Sequence, residues 1–143
     1  MKCELCDSDG GTLIWRDERC RVVQVSEPGY AGYCRVIWNA HVKEMTDLSE
    51  AERAHCMRAV FAVESALRER LNPDKVNLAS LGNMTPHLHW HVIARFRDDP
   101  HFPSSAWGAP CRPPAAAEKP RADFIASLAA TLSRLMTSPP LKT

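Results

Sequence analysis

Three of the six histidines in this chain alternate with apolar residues in the segment His87-Leu-His-Trp-His-Val-Ile93. On a β-strand, successive side chains point to opposite faces of the sheet. The alternation therefore predicts a strand that places His87, His89 and His91 on one face. The apolar residues between them would pack into a core on the other face. Imidazole can act as a nucleophile, a proton donor or a metal ligand near neutral pH, so the histidine face is a candidate functional site.

The composition is that of an ordinary globular protein, and its length suits one domain. The chain has 143 residues, 45% of them apolar and 24% charged, with a formal net charge of +1. A single domain over residues 1–143 is expected. The near-neutral charge argues against nucleic acid or a membrane surface as the main partner. No apolar run is long enough for a membrane span, and the N-terminal residues lack the apolar region of a signal peptide, so we expect a cytoplasmic protein with reduced cysteines.

The remaining patterns predict an α+β fold built mostly on an antiparallel sheet. A capping-box sequence at 49–52 and apolar residues at helical spacing predict a long amphipathic helix that ends near Asn72-Pro73. The predicted core spans 1–97, an irregular arm rich in Pro and Ala spans 98–120, and a closing helix spans 121–137. The predicted strands lie at 12–15, 21–25, 33–38, 75–81 and 87–95.

The histidine face allows three chemical interpretations. A purely structural role would bury three imidazoles, which costs several kcal/mol unless each finds a partner. A metal site made by the three alone is hindered because His87 and His91 would lie about 13 Å apart on an extended strand. In a phosphate site, a neutral histidine attacks phosphorus through Nε2 while another group holds its Nδ1–H.

The segment His87-Leu-His-Trp-His-Val-Ile93 resembles the motif of the histidine-triad (HIT) family, His-φ-His-φ-His-φ-φ with φ apolar. The resemblance extends from the N-terminal Cys-x-x-Cys to about Arg95. It is nearest to small bacterial members of the diadenosine-polyphosphate hydrolase-like branch. It implies a HIT-like five-stranded antiparallel sheet with one long helix and a C-terminal helix. It also implies a homodimer that binds a purine nucleotide or a dinucleoside polyphosphate.

The resemblance assigns a role to each histidine of the motif. His89 would be the nucleophile that attacks the α-phosphorus of a nucleotide and forms a nucleotidyl-histidine intermediate. His91 would hydrogen-bond the same phosphate, and His87 would orient the site or serve a metal. This implies a hydrolase or transferase that cleaves a phosphoanhydride or phosphoramidate without a catalytic cofactor.

Residues before the motif match substrate contacts of the family in part. Asn77 and Asn83 match polar residues that contact phosphate or orient the site, and Gly82 would let the backbone approach the ligand closely. Relatives often carry Ser or Thr immediately after the position of Asn83, where a hydroxyl helps the leaving group, but this chain has Met84. The phosphate chemistry is therefore expected to be retained, whereas the leaving-group contact is open.

The ribose contact is the other departure from the family. Relatives carry Asp or Asn near the end of the second strand, where this chain has Val-Ser26-Glu27, and either Ser26 or Glu27 could substitute. Together with Met84, this leaves two alternatives to the enzyme. One is a nucleotide-binding regulatory module with little turnover. The other is a zinc-stabilised interaction protein.

Cys3 and Cys6 have the spacing that lets two thiolates reach one ion. Some bacterial HIT proteins hold a structural zinc with such a pair, a histidine after the third strand and the first histidine of the triad. The resemblance thus implies a zinc site made by Cys3, Cys6, His41 and His87. Two reduced cysteines and a packing histidine are the alternative.

Two tryptophans are expected to differ in their roles. Trp90 alternates with the histidines and is expected to face the core. Trp107, in the arm, could line a nucleotide pocket or a dimer surface.

Overall fold

The computed structural model describes residues 2–114 and 121–137; residues 115–120 of the predicted arm and residues 138–143 lie outside this part. The expected α+β fold is confirmed. A five-stranded, entirely antiparallel sheet has the order β1-β2-β3-β5-β4. The strands are β1 (Thr12–Arg16), β2 (Cys20–Gln24), β3 (Tyr33–Trp38), β4 (Lys75–Ala79) and β5 (His89–Arg95). The helices are α1 (Glu4–Asp7), α2 (Glu50–Leu71) and α3 (Ala122–Thr137), with a 3-10 turn at Met45–Asp47.

The long helix α2 begins and ends where local chemistry requires. The Ser49 hydroxyl accepts the backbone N–H of Glu52 at 3.2 Å, and the Glu52 carboxylate accepts that of Ser49 at 2.8 Å. This capping box satisfies donors that the first helical turn leaves unpaired. Asn72 adopts a left-handed conformation with φ of 46° and ends the helix ahead of Pro73. Within the part of the chain described, no helix combines the length and the apolar character needed to cross a bilayer.

The sheet has one apolar face and one face that carries polar groups. The apolar face packs against α2 and α3, and Trp90 lies against this core as expected. The strand register places Arg35 opposite His91, and Tyr33 opposite Ile93, on the other face. Directly paired residues of antiparallel strands have side chains on the same face with Cβ atoms about 5 Å apart. On this side of β5, His91 therefore lies beside Arg35 and His89 beside Ile37 of the neighbouring strand β3.

The predicted strand 87–95 is too long at its start, because β5 begins at His89. The backbone N–H of His87 donates to the carbonyl of Thr85 at 2.8 Å, and that of Leu88 donates to Val42 at 2.8 Å. These bonds turn the chain before the regular ladder starts. The prediction of three histidines on one strand face is wrong for this reason: two lie on β5 and His87 precedes it. The strand predicted at 75–81 likewise ends earlier, at Ala79.

A buried ion pair fixes the start of the arm. Arg95 donates to Asp99 from Nε at 2.7 Å and from Nη2 at 3.0 Å, with both side chains almost fully buried. Burial opposes ionisation of Asp99, but the bonds from Arg95 and from three backbone N–H groups lower the pKa of this carboxyl to about 2. Arg112 adds bonds to the carbonyls of Asp99 and Phe102. These bonds hold the start of the segment after β5 against the sheet.

Candidate active site and metal centre

His89 opens strand β5 and has one ring nitrogen occupied by the backbone. Its Nδ1–H donates to the carbonyl of His87 at 2.6 Å, and the residue is 7% exposed. A carbonyl oxygen can only accept, so the hydrogen bond assigns the proton of the neutral ring to Nδ1. Nε2 then carries a lone pair. This is the state that attack on phosphorus requires.

His91 lies beside His89 in a more enclosed environment. The ring centroids of the two residues are 5.0 Å apart, and the Nδ1 of His91 is 3.2 Å from the Tyr33 hydroxyl. Burial, followed by the nearby His89 and Arg35, lowers the pKa of His91 to about 4. Its imidazole is therefore neutral at physiological pH. A neutral His91 can accept one hydrogen bond and donate another, but it contributes no fixed positive charge.

The lowered pKa of His91 predicts a loss of stability in acid. The unfolded chain takes up a proton near the ordinary pKa of 6.5, whereas the folded chain resists it until about 4. The free energy of unfolding should therefore fall by about 2–3 kcal/mol from this group as the pH drops from 6.5 to 4. Urea unfolding of wild type and His91→Gln across this range measures the effect. The stability difference between the two proteins should change by this amount, and two parallel curves would contradict the prediction.

Trp107 brings the arm onto the histidine face. Its ring meets that of His91 edge to face, with centroids 4.9 Å apart and an interplanar angle of 69°, and 47% of the residue is exposed. The anchored arm thus presents an aromatic surface to solvent beside the two strand histidines. The sequence left open whether Trp107 lines a ligand pocket or a dimer surface.

The residues that the resemblance assigned to substrate lie in three places. The side-chain oxygen of Asn77 accepts from Arg95 Nη1 at 2.7 Å, so it forms part of the arm anchor. Gly82 has a φ of 79°, which favours glycine, and precedes the exposed Asn83. Ser26 and Glu27 are exposed after β2. Their contacts to phosphate and ribose remain predictions.

Met84 and Ser80 differ in their relation to the histidines. Met84 is 97% exposed. Ser80 instead donates its hydroxyl to the carbonyl of His89 at 2.8 Å and ties the end of β4 to β5. Sequence reasoning did not select Ser80, Tyr33 or Arg35. The alternation of side chains along Tyr33-Cys-Arg-Val36 is a sequence signal for strand β3. Only the strand register shows that Arg35 of this strand lies opposite His91.

The expected metal ligands come together beside helix α1. They are Cys3, Cys6, His41 and His87. Nδ1 of His87 lies 3.3 Å from the sulfur of Cys3 and 3.5 Å from the sulfur of Cys6. Nδ1 of His41 lies 3.2 Å from Nδ1 of His87 and 3.4 Å from the sulfur of Cys6. Nε2–H of His87 donates to the carbonyl of Trp38 at 2.6 Å, so the lone pair on Nδ1 points at the other donors.

These separations match the edges of a tetrahedral zinc site. Zinc–nitrogen bonds of about 2.0–2.1 Å and zinc–sulfur bonds of about 2.3 Å give donor-to-donor distances of roughly 3.3–3.8 Å in a tetrahedron. Two thiols and two imidazoles also form a ligand set typical of structural zinc. The ligand atoms of all four residues lie within 4.8 Å of one another. The residues therefore fit the metal that the sequence suggested.

A second group of potential metal ligands has a structural role instead. It consists of Asp17, Cys20 and His55. One oxygen of Asp17 accepts the backbone N–H groups of Arg19 and Cys20, and the other accepts Nε2–H of His55 at 2.7 Å. Cys20 is fully buried, and burial raises the pKa of its thiol. This group joins the turn between β1 and β2 to helix α2.

The chain resembles known proteins over most of its length. The family model described as "HIT domain" matches residues 9–98. A histidine triad protein from Bradyrhizobium japonicum is 28% identical, with a TM-score of 0.72, over 90% of this chain and 92% of its own. A histidine triad protein from Marinobacter aquaeolei VT8 is 25% identical, with a TM-score of 0.76, over 94% of this chain and 97% of its own.

A zinc-bound relative shares the same fold. The zinc-bound histidine triad family protein from Mycobacterium smegmatis is 23% identical, with a TM-score of 0.66, over 94% of this chain and 96% of its own. No curated protein sequence matches the chain significantly.

Proposed function

The chain belongs to the HIT domain family, and from this premise we propose that it is a nucleotide hydrolase or transferase. It would cleave a nucleoside phosphoanhydride or phosphoramidate at the α-phosphate. The observation that carries this proposal is the bond from Nδ1–H of His89 to the carbonyl of His87, which leaves Nε2 free as a nucleophile. The substrate would be a purine nucleotide or a dinucleoside polyphosphate, as in the diadenosine-polyphosphate hydrolase-like branch.

The proposed reaction has two displacements at phosphorus. In the first, the lone pair on Nε2 of His89 forms a bond to the α-phosphorus, and the bond from phosphorus to the leaving oxygen or nitrogen breaks. The leaving group takes its electron pair and gains a proton from solvent, while the nucleotidyl-imidazole keeps its Nδ1–H and is positively charged. In the second, an oxygen–phosphorus bond forms from water and the phosphorus–Nε2 bond of the nucleotidyl-His89 breaks, which releases a nucleoside monophosphate, returns the proton of the water to solvent and restores the neutral imidazole. His91, 5.0 Å away between ring centroids, would contact a non-bridging oxygen of the phosphate.

The direct test is turnover of two substrate types. Wild-type protein is incubated with an AMP-fluorophore phosphoramidate and with diadenosine polyphosphates, and release of AMP is measured by chromatography. Turnover of either substrate above the background of His89→Ala supports the enzyme. Binding of AMP without turnover of any substrate would exclude it.

A nucleotide-binding regulatory module with little turnover is the second candidate. Met84, 97% exposed, stands where relatives place a hydroxyl that assists the leaving group. Slow departure of that group would allow binding without efficient cleavage. The same incubation separates the two candidates, because the module would bind AMP but turn over neither substrate above the background of His89→Ala.

We also propose that Cys3, Cys6, His41 and His87 hold a structural zinc ion. The tetrahedral spacing of their donor atoms supports this site, and the relative from Mycobacterium smegmatis is zinc-bound. When bound, zinc would cross-link the N-terminal segment to His87, in the segment that leads into β5. Because the carbonyl of His87 also holds Nδ1–H of His89, this cross-link would restrain the nucleophile indirectly.

A homodimer, a cytoplasmic location and a single domain over residues 1–143 complete the proposal. The dimer is implied by the resemblance, and the other two are predicted from the sequence. Sedimentation equilibrium of the full chain tests the dimer.

We predict that Trp107 contributes to nucleotide binding. An aromatic side chain beside the phosphate site can stack on a nucleobase, which is worth about 1–2 kcal/mol, or roughly 5–30-fold in Kd. Trp107→Ala should weaken AMP binding by this factor in calorimetry. Phe61→Ala, which removes an aromatic residue that is 52% exposed on α2, serves as the control. Equal affinities for wild type and Trp107→Ala would contradict the stacking role.

A further inference from the structure

Tyr33 contacts the second histidine of β5 from the neighbouring strand. Its hydroxyl lies 3.2 Å from Nδ1 of His91, and the two rings meet edge to face with centroids 5.9 Å apart. Tyr33 is 6% exposed and His91 is 5% exposed. The hydrogen bond is therefore shielded from water, and each group depends on the other for its partner.

The surroundings of Tyr33 decide which group donates. A tyrosine hydroxyl can give a hydrogen bond or accept one, and a neutral imidazole nitrogen can do either, depending on the tautomer. Arg35 follows Tyr33 two residues along β3, so its positively charged guanidinium shares the face of the sheet on which the Tyr33 hydroxyl lies. A guanidinium has only donors and carries a positive charge, so its presence on this face favours the orientation in which the lone pairs of the tyrosine oxygen are turned toward Arg35. The hydroxyl hydrogen is then directed at His91 Nδ1.

The guanidinium of Arg35 makes few hydrogen bonds within the described part of the chain. Its Nε is buried and has no hydrogen-bond partner among the described residues, and Nη1 makes only a long bond of 3.4 Å to the carbonyl of Gly10. Strand register places it directly opposite His91. By contrast, Arg95 on the same face is occupied by Asp99, Asn77 and the carbonyl of Ser104.

We propose that Tyr33 is a positioning residue whose hydroxyl, with Arg35 on the same face of the sheet, holds His91 in the Nε2–H tautomer. His89, held by the backbone, carries its proton on Nδ1 instead. The two neighbouring rings thus present opposite functions to a ligand: a lone pair on His89 to attack phosphorus and an N–H on His91 to donate to a phosphate oxygen. This inference rests on the proposed function for its catalytic consequence, but the tautomer itself does not.

Loss of the Tyr33 hydroxyl should disturb the reaction more than ground-state binding. Without it, Nδ1 of His91 has no fixed donor, and a fraction of molecules would present a lone pair to the anionic phosphate. The N–H of His91 stabilises the charge on the phosphate oxygens as the leaving group departs. Most of the effect of losing this N–H is therefore expected in kcat rather than in KM. Tyr33→Phe should lower kcat about 10–100-fold with KM changed less than about threefold.

The tautomer can be measured without any substrate. Long-range proton–nitrogen correlation spectra of protein with 15N-labelled histidine distinguish Nδ1–H from Nε2–H rings, and the signals that disappear in His91→Gln identify His91. Wild type should show His91 as Nε2–H and His89 as Nδ1–H. In Tyr33→Phe, His91 should lose its single tautomer while His89 keeps its own. Tyr30→Phe is the matched control, because the Tyr30 hydroxyl contacts His101 rather than His91.

The results separate this inference from the proposed function. An Nδ1–H proton on His91 in wild type, or an unchanged His91 tautomer in Tyr33→Phe, would overturn the inference whatever the activity. A changed tautomer with unchanged kcat would overturn the catalytic consequence. Absence of turnover in wild type would contradict the proposed function, while the tautomer spectra would still support or overturn the role of Tyr33.

Discussion

Replacing His89 with alanine is expected to reduce kcat/KM for a nucleoside phosphoramidate or dinucleoside polyphosphate by about 10⁴-fold or more. The variant lacks the nitrogen that forms the covalent bond to phosphorus, and removal of a nucleophile costs on the order of 10⁴–10⁶ in rate. AMP should still bind, because the backbone of β5, His91 and the arm remain in place. Chromatographic rates and calorimetric Kd values measure the two effects on the same protein preparations.

His55→Ala is the matched control for loss of a histidine. His55 pairs with Asp17 beside helix α2 and lies outside the histidine face. Its replacement should leave kcat/KM within about twofold of wild type, since it touches neither the nucleophile nor the phosphate. If His89→Ala retained a tenth or more of wild-type activity, His89 would not be the nucleophile.

Removal of both cysteines at the N-terminus is expected to abolish zinc binding and to lower thermal stability strongly. Wild type should contain about one zinc per chain after gentle purification, and Cys3→Ser/Cys6→Ser should contain almost none. A metal present at 1,000 times its Kd stabilises the folded state by about 4 kcal/mol. For a chain of this size, that corresponds to a decrease of roughly 10 °C in Tm. Mass spectrometry for metals and calorimetry measure the two changes.

Cys111→Ser is the control for this experiment. Cys111 is an exposed free cysteine in the arm and takes no part in the four-residue group. Its replacement should change neither the zinc content nor Tm. A wild-type zinc content under about 0.2 per chain, with equal Tm values for wild type and the double variant, would contradict the metal site.

The sequence predicted the elements whose signals are local. The capping box at Ser49 and Glu52 and the helix stop at Asn72 depend on residues within one or two turns, and the structure contains both. The alternation of His89, Trp90 and His91 likewise predicted which side of β5 packs into the core. These signals succeed because a single helix or strand decides the outcome.

The parts that the sequence missed depend on contacts between distant segments. His87 leaves the strand because the N–H of Leu88 bonds to Val42, which no periodicity reveals. Asn77 is taken up by Arg95, whose charge is in turn paired with Asp99. Tyr33 contacts His91 only because β3 pairs with β5 in this register, and the register depends on both strands together. Side-chain partners of this kind follow from the tertiary fold.

The covalent intermediate gives the most direct test of the central claim, that His89 attacks the α-phosphorus. Wild-type protein is mixed with substrate, quenched within milliseconds under conditions that preserve phosphoramidates, and digested for peptide mass spectrometry. One nucleoside monophosphate group should be found on the peptide that contains residues 87–91, with fragment ions that place it on His89. An adduct on His87 or His91, or turnover through the same period with no adduct on any residue, would contradict the claim.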